Sequence, residues 1–137
     1  MDIKKILEEK VAVKPSQKQE DVAGKVLGLF NQLIFDKNLP VYSELTRREC
    51  WKEDLGEDFP EICVAMDHEK YYCLESYIFP KDEKKIAEDL ENAPLYISLQ
   101  SEPLNIDEEF AYEDMLTEYK PALEEACDRL AELYEGE

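Results

Sequence analysis

The sequence predicts an α+β fold in which a small antiparallel sheet, made of a hairpin and at least one further strand, is packed against N-terminal helices and a long, kinked C-terminal helix. Three observations lead there. Two stretches, from Val22 to Ile34 and from Tyr112 to Tyr134, repeat apolar side chains at the spacing of a helix with one buried stripe. Residues 61–66 and 71–79 are rich in β-branched and aromatic types, with the polar Asp67-His68-Glu69-Lys70 between them, as in a hairpin. Helical and strand-like segments follow one another without an internal repeat, the order expected of helices covering an antiparallel sheet. At 137 residues the chain is expected to form a single domain, with a near-neutral helical part over 1–52 and a strongly acidic α+β part over 53–137.

Ile3, Ile6 and Leu7 share one face, so residues 2–9 read as a short amphipathic helix, ended before Pro15. Ser16-Gln17-Lys18-Gln19 has the form of a capping box, in which the Ser hydroxyl accepts from a free backbone N–H and the Gln reaches back. It predicts a second helix that buries Val22, Ala23, Val26, Leu27, Phe30, Leu33 and Ile34 and ends at 36–38, before Pro40. Gly24 and Gly28 inside it each cost about 1 kcal/mol against Ala, so another element is expected close to that side. Residues 41–54 mix strand-like Val41, Tyr42 and Leu45 with a helical turn at Thr46-Arg47-Arg48-Glu49, and residues 55–60 read as a loop. After the hairpin, Pro80-Lys81-Asp82-Glu83 opens a short helix with Ile86, Ala87 and Leu90 inward, and residues 95–99 read as a third strand. The last helix is expected over about 107–133, interrupted by Pro121, which removes a backbone hydrogen bond and crowds the preceding turn.

Charge is sharply divided along the chain. The first 52 residues hold ten Lys and Arg against eight Asp and Glu, a balance of +2; the other 85 hold six against 26, a balance of −20. Such a field repels nucleic acid and anionic membrane and attracts cationic surfaces. The one basic cluster, Arg47-Arg48 with Lys52, is short and followed by acids, so direct binding to nucleic acid or membrane is not expected.

No catalytic signature stands out. His68 is the only histidine, and its place in a hairpin turn reads as exposed. No C-x-x-C, H-E-x-x-H, phosphate-loop or dinucleotide fingerprint occurs, and the acid clusters at 53–58 and 107–109 lack the alternation of a calcium loop. Neither a metal nor a cofactor is expected. Cys50, Cys63, Cys73 and Cys127 read as reduced thiols, because the first residues lack the apolar stretch of a secretory signal and the chain is expected in the cytoplasm.

The acids of the last predicted helix form the candidate site. Glu108, Glu109, Glu113, Asp114, Glu118, Glu124, Glu125 and Asp128 lie off its apolar stripe with almost no cation among them. Like charges one turn apart destabilise a helix by a few tenths of a kcal/mol each, so folding alone does not favour them there. They point to a rod of negative charge that imitates nucleic-acid phosphates. The expected partner is therefore a basic protein, a nucleic-acid-binding enzyme that this chain inhibits, as an anti-defence protein or an immunity protein does. Two other expectations stand beside it. One is an adaptor that binds through a Tyr-rich sheet face, since eight tyrosines are present against five phenylalanines. The other is a small carboxylate-dependent enzyme, which requires a deep pocket holding His68 or two close carboxylates.

Overall fold

The computed structural model describes residues 12–51 and 59–135. The helix expected over 2–9 and the acids Glu53, Asp54, Glu57 and Asp58 lie outside the described residues. In chain order the elements are β1 (Ala12–Val13), α1 (Gln17–Lys37), β2 (Tyr42–Arg48), β3 (Cys50–Trp51), β4 (Glu61–His68), β5 (Tyr71–Pro80), α2 (Glu83–Glu88), β6 (Leu95–Ser101), β7 (Ile106–Ala111) and α3 (Lys120–Tyr134). Between β7 and α3 run a 3₁₀ turn, Tyr112–Asp114, and a π turn, Met115–Tyr119. The fold is α+β. Strands β2, β4, β5, β6 and β7 form an antiparallel sheet in that spatial order, and β1 pairs with β3 in a separate two-stranded piece.

The start of α1 is tied to the sheet by its own cap. Ser16 Oγ accepts from the Gln19 N–H and Gln19 Oε1 accepts from the Ser16 N–H, which completes the expected capping box. The Gln19 amide, fully buried, also donates to the carbonyls of Pro60 (2.8 Å) and Ile78 (3.2 Å). One side chain thus satisfies groups on the helix and on the sheet. At the other end Asn38 adopts a left-handed conformation (φ 51°), and the Leu39 N–H returns to the Ile34 carbonyl.

Strand alternation sorts the sheet into two faces. Ile62, Val64 and Met66 of β4, Leu74 and Ile78 of β5, and Leu95, Ile97 and Leu99 of β6 are buried against Val22, Ala23, Val26 and Phe30 of α1 and Leu123, Ala126, Cys127 and Leu130 of α3. The contacts between the helices fix their direction: Lys25 Nζ lies 3.3 Å from Tyr112 Oη, and further along Lys37 pairs with Asp128. Hence α1 and the C-terminal helical segment run parallel, both toward the β4–β5 turn.

Several sequence expectations need correction. The last helical segment begins at Tyr112, not near Asp107, because residues 106–111 form β7: Ile106 and Phe110 alternate toward the helices and are half-buried. Pro121 lies on backbone that is already helical at Tyr119 (φ −65°, ψ −50°), and the irregularity expected from its missing N–H falls in the π turn directly before it. That wider turn displaces the register, so Leu116, counted in the apolar stripe, is 70% exposed. Pro80 closes β5, and α2 starts three residues on, capped by Asp82 Oδ1 accepting from the Lys85 N–H; Ile86 is buried but Ala87 is exposed. Gly24 and Gly28 are exposed, and a Cβ at either would meet nothing within 4 Å, so no close neighbour explains them. The undecided stretch after Pro40 is chiefly strand, β2, paired along its length with β4. No helix among the described residues is long and apolar enough to cross a membrane.

Candidate functional site

The eight acids are spread along four kinds of backbone rather than one helix. Glu108 and Glu109 lie on β7, at the outer edge of the sheet; Glu113 and Asp114 are in the 3₁₀ turn, Glu118 is in the π turn, and Glu124, Glu125 and Asp128 are on α3. Asp114 and Glu124 are half-buried and the other six are exposed. Glu109 pairs with Lys81 and Asp128 with Lys37, whose pKa is raised chiefly by that hydrogen bond. The other six have no ion-pair partner among the described residues. Glu124 and Asp128 are four residues apart and Glu125 and Asp128 three apart, so their repulsion is only partly relieved by Lys37.

Sequence reasoning missed how β7 joins this acidic surface to the second face of the sheet, the one turned away from α1 and α3. Alternation and register place Tyr42 and Glu44 of β2, Asp67 of β4, Tyr72, Glu75, Tyr77 and Phe79 of β5, Tyr96 of β6, and Asp107 and Glu109 of β7 on that face. The tyrosines and carboxylates are partners there: Tyr72 Oη donates to Glu44 (3.0 Å) and Tyr77 Oη to Glu75 (2.6 Å). Both phenols are pushed above their ordinary pKa, Tyr72 first by the bond to Glu44 and Tyr77 first by burial and then by Glu75. Tyr42 remains 60% exposed. Near β7 the face hollows into an open groove of about 370 Å³ whose walls include Phe59, Tyr77, Phe79, Asp107, Glu108 and Glu109. No local signal marked β7, because Ile106 and Phe110, four apart with three acids between them, suit a helix face as well as a strand face.

His68 is not in an exposed turn. It is the last residue of β4, 4% exposed, stacked on Tyr134 with ring centres 3.9 Å apart and met edge-on by Tyr71 at 5.7 Å. The turn is only Glu69-Lys70, and a bulge opposite Met66 and Asp67 turns Cys73 into the core. His68 is not in the wall of the groove beside β7 or of the hollow between α1 and the turns at Tyr112–Thr117. The thiols of Cys63 and Cys127 are pushed up to about 12 by burial, so they remain protonated at neutral pH and are poor nucleophiles. Among the described residues no three His, Cys, Asp or Glu side chains converge as a metal site requires.

No family model matches the chain, and neither curated proteins nor solved structures yield a match. The geometry of the chain itself therefore has to carry the functional reading.

Proposed function

We propose that this protein is an acidic inhibitor that acts in the cytoplasm by covering the cationic, nucleic-acid-binding surface of a partner enzyme, in the manner of an anti-defence or immunity protein. The observation that supports it is that six carboxylates, Glu108, Glu113, Asp114, Glu118, Glu124 and Glu125, have no ion-pair partner among the described residues, within a segment carrying −20. Lys and Arg of a partner would neutralise them and relieve their mutual repulsion, so association is steered by opposed fields and weakened by salt. The mechanism is steric and electrostatic and needs no chemical step.

The test uses the tagged full chain to capture its partner from the native host at low and high salt, followed by assay of the captured enzyme on nucleic acid. The expected result is capture of a basic nucleic-acid enzyme at low salt, release at high salt, and loss of capture when Glu113, Glu118, Glu124 and Glu125 are changed to Gln. Capture that ignores both salt and these four changes would overturn the proposal. If substitutions at Tyr42 and Tyr72 abolish capture instead, the protein is an adaptor that binds through its sheet.

A further inference from the structure

Lys81 shows how this sheet holds a cation. Its ammonium lies 4.5 Å from the centre of the Tyr96 ring and pairs with the Glu109 carboxylate, so one aromatic face and one acid grip it together. The adjoining groove repeats both ingredients: Tyr77 supplies a half-buried ring, and Asp107, on the same face, supplies a carboxylate with no ion-pair partner among the described residues. Phe79 belongs to the first place, its ring centre 6.2 Å from that of Tyr96 and 6.0 Å from the Lys81 ammonium. The Tyr77 ring is held in position by the bond from its hydroxyl to Glu75, so little order has to be imposed on binding.

Aromatic rings on a sheet also stack nucleic-acid bases, but any strand laid here would bring its phosphates against Asp107, Glu108 and Glu109. The surroundings therefore select a cation over a base. Between the two cationic side chains, a planar guanidinium can lie flat on a ring while it donates in pairs to a carboxylate, whereas an ammonium acts as a point charge.

We infer that the groove between β5 and β7 seats an arginine side chain of a basic protein partner, its guanidinium stacked on Tyr77 and paired with Asp107. The inference rests on the reading of the protein as a binder of basic proteins, and it names the contact that distinguishes arginine from positive charge in general.

The probe is a short capped peptide of alternating glycine and arginine, with its glycine–lysine counterpart, each titrated into the full chain and followed by heteronuclear NMR. The arginine peptide is expected to shift the amides of Tyr77, Phe79, Ser98, Gln100 and Asp107, and to bind more tightly than the lysine peptide. Tyr77→Leu and Asp107→Asn should each weaken it about two- to fivefold. Both positions are at least partly exposed, and the amide dispersion of the free variants verifies their fold. Equal binding of the two peptides, or shifts confined to α3 with both variants unaffected, would overturn the inference. If the groove stays empty while a basic partner is still captured and released by salt, the groove inference alone fails. If the groove takes the peptide but no basic partner is captured, the inhibitor reading alone fails.

Discussion

The hydroxyls of Ser76 and Tyr119 lie 2.6 Å apart in the middle of the core, one on the sheet and the other at the end of the π turn. Each is the other's hydrogen-bond partner, and both residues are fully buried. Removing one hydroxyl leaves the other dry and unsatisfied, at a cost of about 1–2 kcal/mol, whereas removing both is nearly neutral. Tyr119→Phe is thus expected to lower stability by that amount, and Ser76→Ala added to it to restore most of the loss. Urea unfolding of the two single variants and the double variant checks this; simple addition of the two losses would show that the bond is not what joins the turn to the sheet.

The β4–β5 turn is strained by its residues. Glu69 and Lys70 have φ of 49° and 73°, the left-handed values that a two-residue hairpin turn requires and that Asn and Gly adopt more readily. Lys70→Gly is expected to stabilise the protein by about 0.5–1 kcal/mol. Thermal unfolding measures it, and a lower Tm in the variant would count against this turn geometry.

Alkaline pH should unfold the chain earlier than its surface alone implies. The thiols of Cys63 and Cys127 ionise near 9 when exposed and near 12 in the folded protein, because burial disfavours the thiolate. A raised folded pKa means that the stabilising contribution is fully present below about 9 and is lost as pH rises toward 12. The phenol of Tyr119, also raised by burial, acts with the same sign from a higher starting value. Stability followed against pH by denaturant unfolding should fall across that window, and less steeply in Cys127→Ala. Identical slopes for parent and variant would remove Cys127 from the account.

Salt should move folding and binding in opposite directions. With a net charge of −18 the folded chain repels itself, and added salt screens that repulsion. An increase of about 1 kcal/mol in stability, or ~3–6 °C in Tm, is expected between very low and moderate salt. Calorimetry over a salt series provides the measurement, and a Tm that falls would mean that the pairs Lys37–Asp128, Arg47–Glu20 and Lys81–Glu109 outweigh the repulsion.

Segments whose local pattern and tertiary role agree were legible from residue order alone. The Ser16–Gln19 box, the buried stripe of α1, the β4–β5 pair and the stripe from Leu123 to Tyr134 all belong to this group. Segment 106–111 was not, because Asp107, Glu108 and Glu109 suit the first turn of a helix better than a strand, and only pairing with β6 makes them extended. His68 misled for a related reason: it borders turn residues, and its burial depends on Tyr134, 66 positions away in sequence but stacked on its ring. The candidate acids were legible as a group, yet their division between a strand edge and a helix was not. The aromatic groove draws on β5 and β7, which periodicity within one segment cannot bring together.

Strand β7 is the last in the sheet, and an outer strand is a template on which a second molecule can add its own. Three successive carboxylates, Asp107, Glu108 and Glu109, set two like-charged strands against each other if copies of this protein meet there. Changing Asp107 to Asn and Glu108 and Glu109 to Gln removes that repulsion, so the triple variant is expected to associate edge to edge where the parent chain does not. The residues that give the surface its sign thus also oppose the pairing of two copies along this edge.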